Sequence, residues 1–155
     1  MADESLILLA KDVRGKTLRL LDGVSEDDAR YTPAGLNNTI LWHAGHALVV
    51  VEHLSVAPAT GRAPVYPQGW FESFSWKSVP ATVTQWPTLH EVVERLREQL
   101  TRLTSAIESL ASEQLAAVRE NGKSLRYSIL HGIHDEAGHQ GEIHLLKKLK
   151  RVGVR

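Results

Sequence analysis

Apolar residues recur every three or four positions along four separate stretches of the chain, a spacing typical of amphipathic helices. The first stretch predicts a helix over residues 4–22. The second predicts a helix that starts at Asn37 or Asn38, both good N-caps, and ends at about Ser55, because Pro58 should exclude further helix. The first half of the chain therefore contains two of the four predicted helices.

The third stretch is the most regular of the four. Thr88 and Glu91 form the two ends of a capping box, and the apolar residues after them alternate at spacings of four and three, which predicts a helix over residues 89–111. The fourth helix should run from residue 124 or 125 to residue 150, where a cluster of lysines suits a helix C-terminus.

The segments between these helices differ in length and character. Residues 23–37 form a connection with one short helical turn after Ser25. Residues 57–87 contain five prolines and show no sustained period, and the large aromatic residues there are Tyr66, Trp70, Phe71, Phe74, Trp76 and Trp86. An aromatic content this high is not typical of disorder. The fold class predicted is all-α: one domain over residues 1–155, a four-helix bundle with a long aromatic-rich crossover between the second and third helices.

Composition narrows the range of functions. The chain carries 18 Lys+Arg against 18 Asp+Glu, which argues against nucleic acid or an anionic membrane as the main partner. It has no cysteine, so disulfides, thiolate metal ligands and a cysteine nucleophile are all excluded. No apolar run approaches the length of a membrane span, and acids precede the first apolar stretch, unlike in a signal peptide. We expect a cytoplasmic protein that acts on a small molecule.

Histidines concentrate on two of the predicted helices, and three residues there stand out. The spacing of apolar positions directs His46 on the second helix, and Asp135 and His139 on the fourth, towards one interior volume. Asp135 and His139 are four residues apart, so both can reach one ion. Two histidines and one carboxylate leave coordination positions open, as in catalytic metal sites.

The spacing alone leaves two alternatives. The same residues can form a buried hydrogen-bonded network without a metal. Alternatively, a different face of the fourth helix is buried and Asp135 and His139 are solvated. That second apolar face consists of Ile129, Leu130, Ile133 and Ala137. Both faces would be covered if the protein forms a homodimer.

Two segments carry a resemblance to a known family. The sequence NNTILWHAGHALVVVEHL at residues 37–54, followed by HDEAGHQGEIHLLKKL at residues 134–149, resembles the DinB/YfiT-like superfamily of metal-binding four-helix bundles, which is unrelated to the DNA polymerase of the same name. The crossover sequence YPQGWFESF is also similar to a stretch found in many members.

The resemblance implies a site for a divalent metal ion. Members commonly use three histidines, and the corresponding positions here are His46, Asp135 and His139, so that a carboxylate replaces one histidine. A carboxylate ligand is compatible with zinc, nickel, iron or manganese. Four further residues are expected to surround these ligands: Trp42, His43, His131 and Glu142.

The resemblance also implies a function. Characterised relatives include transferases and isomerases that use low-molecular-weight thiols and metal-dependent proteins similar to hydrolases. We therefore expect a metal-dependent enzyme, such as a thiol S-transferase or a hydrolase, whose thiol comes from a cosubstrate. The alternative is a non-catalytic module that binds a metal or a small ligand. No general base is identified, and a homodimer is expected in either case.

Overall fold

The computed structural model describes residues 3–155, and this part of the chain is all-α with no β-strand. The α-helices are α1 (Glu4–Leu21), α2 (Glu26–Ala29), α3 (Ile40–Val51), α4 (Ala57–Thr60), α5 (Trp70–Phe74), α6 (Leu89–Ser109), α7 (Ser112–Ala116) and α8 (Leu125–Arg151). A π-helical turn, Glu52–Val56, joins α3 to α4, and a 3-10 turn, Pro80–Thr82, lies between α5 and α6.

Local sequence accounts for where these helices begin. The side chains of Ser25, Thr39 and Ser124 each accept a hydrogen bond from a backbone N–H in the first turn of the helix that follows. Thr88 and Glu91 form the predicted capping box at the start of α6. The second predicted helix therefore starts at Ile40 with Thr39 as its cap, and neither Asn37 nor Asn38 has that role.

The four long helices, α1, α3, α6 and α8, make contacts in pairs. Both α1 and α3 contact α8 and α6. The α3 and α8 helices are antiparallel, because Gly132 lies against Val51 and Ser55 while His139, further along α8, reaches His43 near the start of α3. A side chain added at Gly132 would overlap Ser55, so the absence of a Cβ there lets the two helices approach closely.

The hydrophobic core is divided into two clusters by a layer of buried polar side chains. One cluster surrounds Phe74 near the crossover, and the other surrounds Ile129 at the opposite end of the helices. The side chains of the layer come from all four long helical segments: Arg14, Thr17, Glu52, Gln99 and Glu136. The polar groups of these side chains must be hydrogen-bonded, because an unpaired polar group is costly in a protein interior. An unpaired charge there costs several kcal/mol, on the order of the whole stability of a domain.

Arg14 and Glu136 form the centre of this layer. Both side chains are only 3% exposed, and the guanidinium donates from Nε to Oε1 at 2.8 Å and from Nη2 to Oε2 at 2.9 Å. Arg14 also donates to the backbone oxygen of Leu96 and to Oε1 of Gln99, and Thr17 donates to Glu136. This planar two-bond pairing joins α1 to α8 beside the site described below.

One prediction about the segment after α3 was wrong. Helix does not stop near Ser55, because the π-helical turn carries the chain into α4 with Pro58 in its first turn, where proline is tolerated. Residues 57–87 also contain regular structure, namely α4, α5 and the 3-10 turn. These elements are too short to produce a detectable period in the sequence.

The helical segment Ile40–Thr60 is long and apolar enough to cross a membrane by length and composition. Within the protein, 83% of its apolar window is buried. It is therefore placed as the core helix of a soluble helical domain would be, with its apolar surface covered by protein.

We expect Gly45→Ala to destabilise the protein by about 1–3 kcal/mol, the usual cost of overpacking. A Cβ at Gly45 would overlap the ring of Phe74, a fully buried residue of α5 that packs against α3. Urea denaturation measures the loss. The matched control is Gly138→Ala, since a Cβ at Gly138 on α8 meets nothing within 4 Å and alanine should stabilise that helix by about 0.5–1 kcal/mol. Equal effects at both positions would contradict this account.

Candidate metal centre

The structure brings His46, Asp135 and His139 together between α3 and α8. One potential ligand atom from each residue lies within 4.8 Å of the other two. Oδ2 of Asp135 is 3.5 Å from Nε2 of His139 and 3.7 Å from Nε2 of His46. His46 is buried, whereas the side chains of His139 and Asp135 keep 19% and 30% of their surface exposed, so the cluster opens to solvent on the α8 side.

The crossover orients His46. Nδ1 of His46 lies 2.6 Å from the backbone oxygen of Phe74, at the end of α5. The indole of Trp42 stacks on a face of the His46 ring, with ring centroids 4.5 Å apart and planes at 20°. Trp42 itself is held by a 2.9 Å hydrogen bond from its Nε1 to Oγ of Ser78. The imidazole is thereby fixed with Nε2 towards Asp135.

His43 orients the third member of the cluster. Nδ1 of His43 and Nδ1 of His139 are 2.8 Å apart, a hydrogen-bonding distance. The two rings are tilted, with centroids 5.0 Å apart, and the ring of Trp42 meets both of them edge to face. Nε2 of His139 is therefore left facing Asp135 and His46.

The donor set fits a divalent cation. Oδ2 of Asp135 is buried and has no hydrogen-bond partner among the described residues, a costly state for a carboxylate oxygen unless a cation satisfies it. Ligands at 2.0–2.2 Å around a tetrahedral ion lie roughly 3.4 Å apart. The 3.5 and 3.7 Å separations are close to that spacing and are too long for charge-assisted hydrogen bonds.

Burial controls the charge of these groups. It lowers the pKa of His46 below the usual histidine value, with a smaller contribution from His139 and against the opposing effects of the Phe74 carbonyl and Asp135. Burial raises the pKa of the Asp135 carboxyl, but the neighbouring His139, His46 and His131 outweigh this and leave that pKa lowered. A neutral His46 and an ionised Asp135 are the forms in which these residues bind metals.

The pKa of His43 predicts how stability depends on pH. Burial, followed by the proximity of His139 and His46, lowers the pKa of His43 to about 3. Because an unfolded histidine titrates near 6.5, the unfolded chain binds a proton below that pH which the folded chain does not. In the presence of a chelator, we expect this residue to reduce the free energy of unfolding by up to about 1.4 kcal/mol for each unit that the pH falls below about 6.

Urea denaturation at several values between pH 7 and pH 4.5 measures this dependence. The variant His43→Leu lacks the titrating group, so its stability should fall less steeply over the same range. Equal slopes for the two proteins would show that His43 does not contribute.

The residues predicted to surround the cluster divide into two pairs. Trp42 and His43 contact it, as described above. His131 is exposed and packs its ring against Tyr127, with centroids 5.8 Å apart, and Glu142 is also exposed. Neither His131 nor Glu142 forms a hydrogen bond with the cluster within residues 3–155, so their inclusion on sequence grounds has no support from direct contacts.

Several contributors to the site were absent from the sequence predictions. The Phe74 carbonyl is a backbone group, so no residue type signals its role. Ser78 has no pattern that links it to Trp42. A signal did exist for the polar layer, since Arg14 follows Val13 directly and lies four residues after Ala10, in the middle of the apolar face of α1.

The sequence-family model of the DinB superfamily matches residues 9–143 of the chain. The chain belongs to the DinB superfamily. This membership agrees with the resemblance carried by the segments around His46 and His139. The first segment lies within the matched region, and so does the part of the second, up to residue 143, that contains Asp135 and His139.

A solved structure shares the fold of this chain. A crystal structure of a conserved protein from Enterococcus faecalis superposes with a TM-score of 0.71, covering 96% of this chain and 97% of that protein at 16% sequence identity. At this identity the likeness concerns the fold alone. No curated protein matches the chain.

Proposed function

We propose that this DinB-superfamily protein is a metal-dependent enzyme built on a four-helix bundle, with a divalent ion bound by His46, Asp135 and His139. The single observation that carries the proposal is the buried, unpartnered Oδ2 of Asp135 between two imidazole Nε2 atoms. An ion bound there would act as a Lewis acid and lower the pKa of a coordinated water or thiol. Zinc, nickel, iron and manganese are all compatible with two imidazoles and one carboxylate.

The protein residues have distinct parts in this proposal. Two neutral imidazoles and one carboxylate leave a divalent ion with a net positive charge, which favours an anionic substrate group. His46 is rigid, held between Trp42 and the Phe74 carbonyl, so the ion would be fixed on the α3 side. The partial exposure of Asp135 and His139 leaves the α8 side for substrate.

The reaction class that we propose is transfer to or from a low-molecular-weight thiol, with hydrolysis as the related possibility. The chain has no cysteine, so a reacting thiol must belong to a small-molecule cosubstrate. The thiol would lose its proton on binding and attack an electrophilic carbon of the second substrate as thiolate. A C–S bond would form as the bond from that carbon to its leaving group breaks, and the leaving group would depart to solvent with the bonding electron pair. The proton would leave to solvent through the exposed side, since no residue is assigned as general base.

We also propose that the protein is cytoplasmic and dimeric. The absence of cysteine is compatible with a reducing compartment. Of the second apolar face of α8, Ile129 and Ile133 are buried within the protomer, whereas Leu130 is 39% exposed. Dimerisation therefore depends on Leu130 and on the other exposed apolar residues of α8, Tyr127 and Leu145, and sedimentation velocity measures it directly.

The experiment that tests the proposed function starts with elemental analysis of protein purified without a metal-affinity column. We expect about one divalent ion per chain, removed by chelation and restored by titration. The loaded protein is then screened with low-molecular-weight thiols and electrophilic acceptors, and thiol consumption is measured. Absence of bound metal under all loading conditions would overturn the proposal. Metal binding without turnover would leave only the non-catalytic function described next.

That second candidate, a non-catalytic module that binds a metal or small ligand, is favoured by one observation. Five surface cavities of about 300–560 Å³ are formed by the described residues, and none of these five is lined by His46, Asp135 or His139. None of these five cavities would therefore hold a substrate in contact with an ion at the cluster. If chelation melts the domain, the metal is structural, because binding then contributes directly to folding.

A further inference from the structure

The two histidines of the cluster differ in the groups that fix their protons. Nδ1 of His46 faces the Phe74 carbonyl at 2.6 Å, and a carbonyl oxygen can only accept. Neutral His46 therefore carries its proton on Nδ1 and has a lone pair on Nε2. The backbone alone determines this tautomer.

The tautomer of His139 depends on another histidine. Its Nδ1 is 2.8 Å from Nδ1 of His43, and an imidazole nitrogen can either donate or accept. If His43 donates, neutral His139 must carry its proton on Nε2, which then cannot bind a metal. If His139 donates, its Nε2 has a lone pair directed towards Asp135.

The distances around Asp135 decide between these two arrangements. An N–H on Nε2 of His139 facing an ionised carboxylate would form a hydrogen bond of about 2.7–2.9 Å. The observed separation is 3.5 Å, and Oδ2 of Asp135 has no hydrogen-bond partner among residues 3–155. Nε2 of His139 is therefore placed as an acceptor atom, equivalent to Nε2 of His46 on the other side of the same oxygen.

We infer that His43 accepts the Nδ1 proton of His139 and so holds His139 in the tautomer that can bind a metal ion. This inference rests on the proposed function in one respect: the proposed metal ion is what would bind the unprotonated Nε2 of His139. His43 is a positioning residue, because it acts through His139 and does not itself point a ligand atom into the cluster. Its own proton is then on Nε2.

The surroundings of His43 suit this role. The side chain is 5% exposed, so water competes little for its Nδ1. The ring of Trp42 packs against it edge to face at 5.2 Å and stacks on His46 as well. One tryptophan thus fixes the orientation of His43 and of a proposed ligand together.

The direct test is ¹⁵N NMR of the imidazole nitrogens in the full-length protein, both metal-free and loaded with zinc, expressed without a histidine tag. We expect His139 to be protonated on Nδ1 and His43 on Nε2 in both states. Protonation of His43 on Nδ1 would overturn the inference. The metal-free spectrum tests the inference even if zinc does not bind. Failure to bind any metal would contradict the proposed function but not this inference.

Substitutions provide a second test, with zinc affinity measured by competition against a chromophoric chelator. His43→Leu removes the acceptor and should weaken zinc binding about 10- to 100-fold, the usual effect of losing a hydrogen-bond partner of a ligand. His43→Asn places an amide oxygen near the position of Nδ1 and should restore affinity to within a few-fold of the parent. The matched control is His53→Leu, which removes another histidine of the same helical segment, one that contacts Tyr66 and none of the three cluster residues.

The outcomes separate a positioning role from a merely structural one. Failure of His43→Asn to rescue, with both variants folded by circular dichroism, would mean that ring packing and not proton acceptance matters, and would contradict the inference. Unchanged zinc affinity in His43→Leu would contradict it equally. A loss in His53→Leu as large as that in His43→Leu would show that the effect is not specific to the contact with His139.

Discussion

Replacing His139 by alanine is expected to reduce the affinity for zinc by roughly a hundred- to a thousandfold, since each ligand contributes about 3–4 kcal/mol of a typical zinc-binding free energy. His139 supplies one of three converging ligand atoms, and its loss leaves two. Isothermal titration with zinc, or competition with a chelator, measures the change. Helical content should be unaffected, because the side chain is partly exposed and lies outside both hydrophobic clusters.

The control for this prediction is His131→Ala. His131 lies two turns earlier on α8, is exposed, and makes no hydrogen bond with the cluster in the described part of the chain. The His131→Ala variant should bind zinc with the same affinity as the unsubstituted protein. If His139→Ala binds zinc with unchanged affinity, His139 is not a ligand and the proposed metal site is wrong, whatever the control shows.

Breaking the Arg14–Glu136 pair from one side is expected to cost about 3–5 kcal/mol of stability, the usual result of leaving one buried charge without its partner. Glu136→Leu exposes the guanidinium of Arg14 to an apolar interior with only the Leu96 carbonyl and Gln99 left to bond. Since a domain is stable by only roughly 5–15 kcal/mol, this single change should lower the urea midpoint severely.

The double variant Arg14→Met with Glu136→Leu tests the reason for that loss. It removes both charges and replaces them with apolar groups of similar volume, so it should be much more stable than Glu136→Leu. As a surface control, Asp12→Asn breaks the exposed 2.7 Å pair with Lys16 and should cost less than about 1 kcal/mol. A double variant as unstable as the single one would show that shape, and not charge, makes this layer necessary.

The placement of His46, Asp135 and His139 was predictable because it follows from helix periodicity. Asp135 and His139 are one turn apart, so any helix that buries one brings the other to the same face. The partners of these residues were not predictable in the same way. His43 lies about 60° from the line of His46 on a helical wheel, and only the antiparallel packing of α3 against α8 brings it within 2.8 Å of His139.

Repeating apolar positions and local capping groups were sufficient to predict the four long helices and the all-α class, since these depend on neighbours within a few residues along the chain. The same periodicity gave the convergence of two imidazoles and one carboxylate as one of the alternatives that it left open. Tertiary structure alone decided which imidazole nitrogen faces the cluster, which backbone carbonyl holds His46, and that Arg14 and Glu136 meet in the interior. Those contacts join residues from 28 to 122 positions apart, and no local pattern encodes which distant group will satisfy a buried charge or proton.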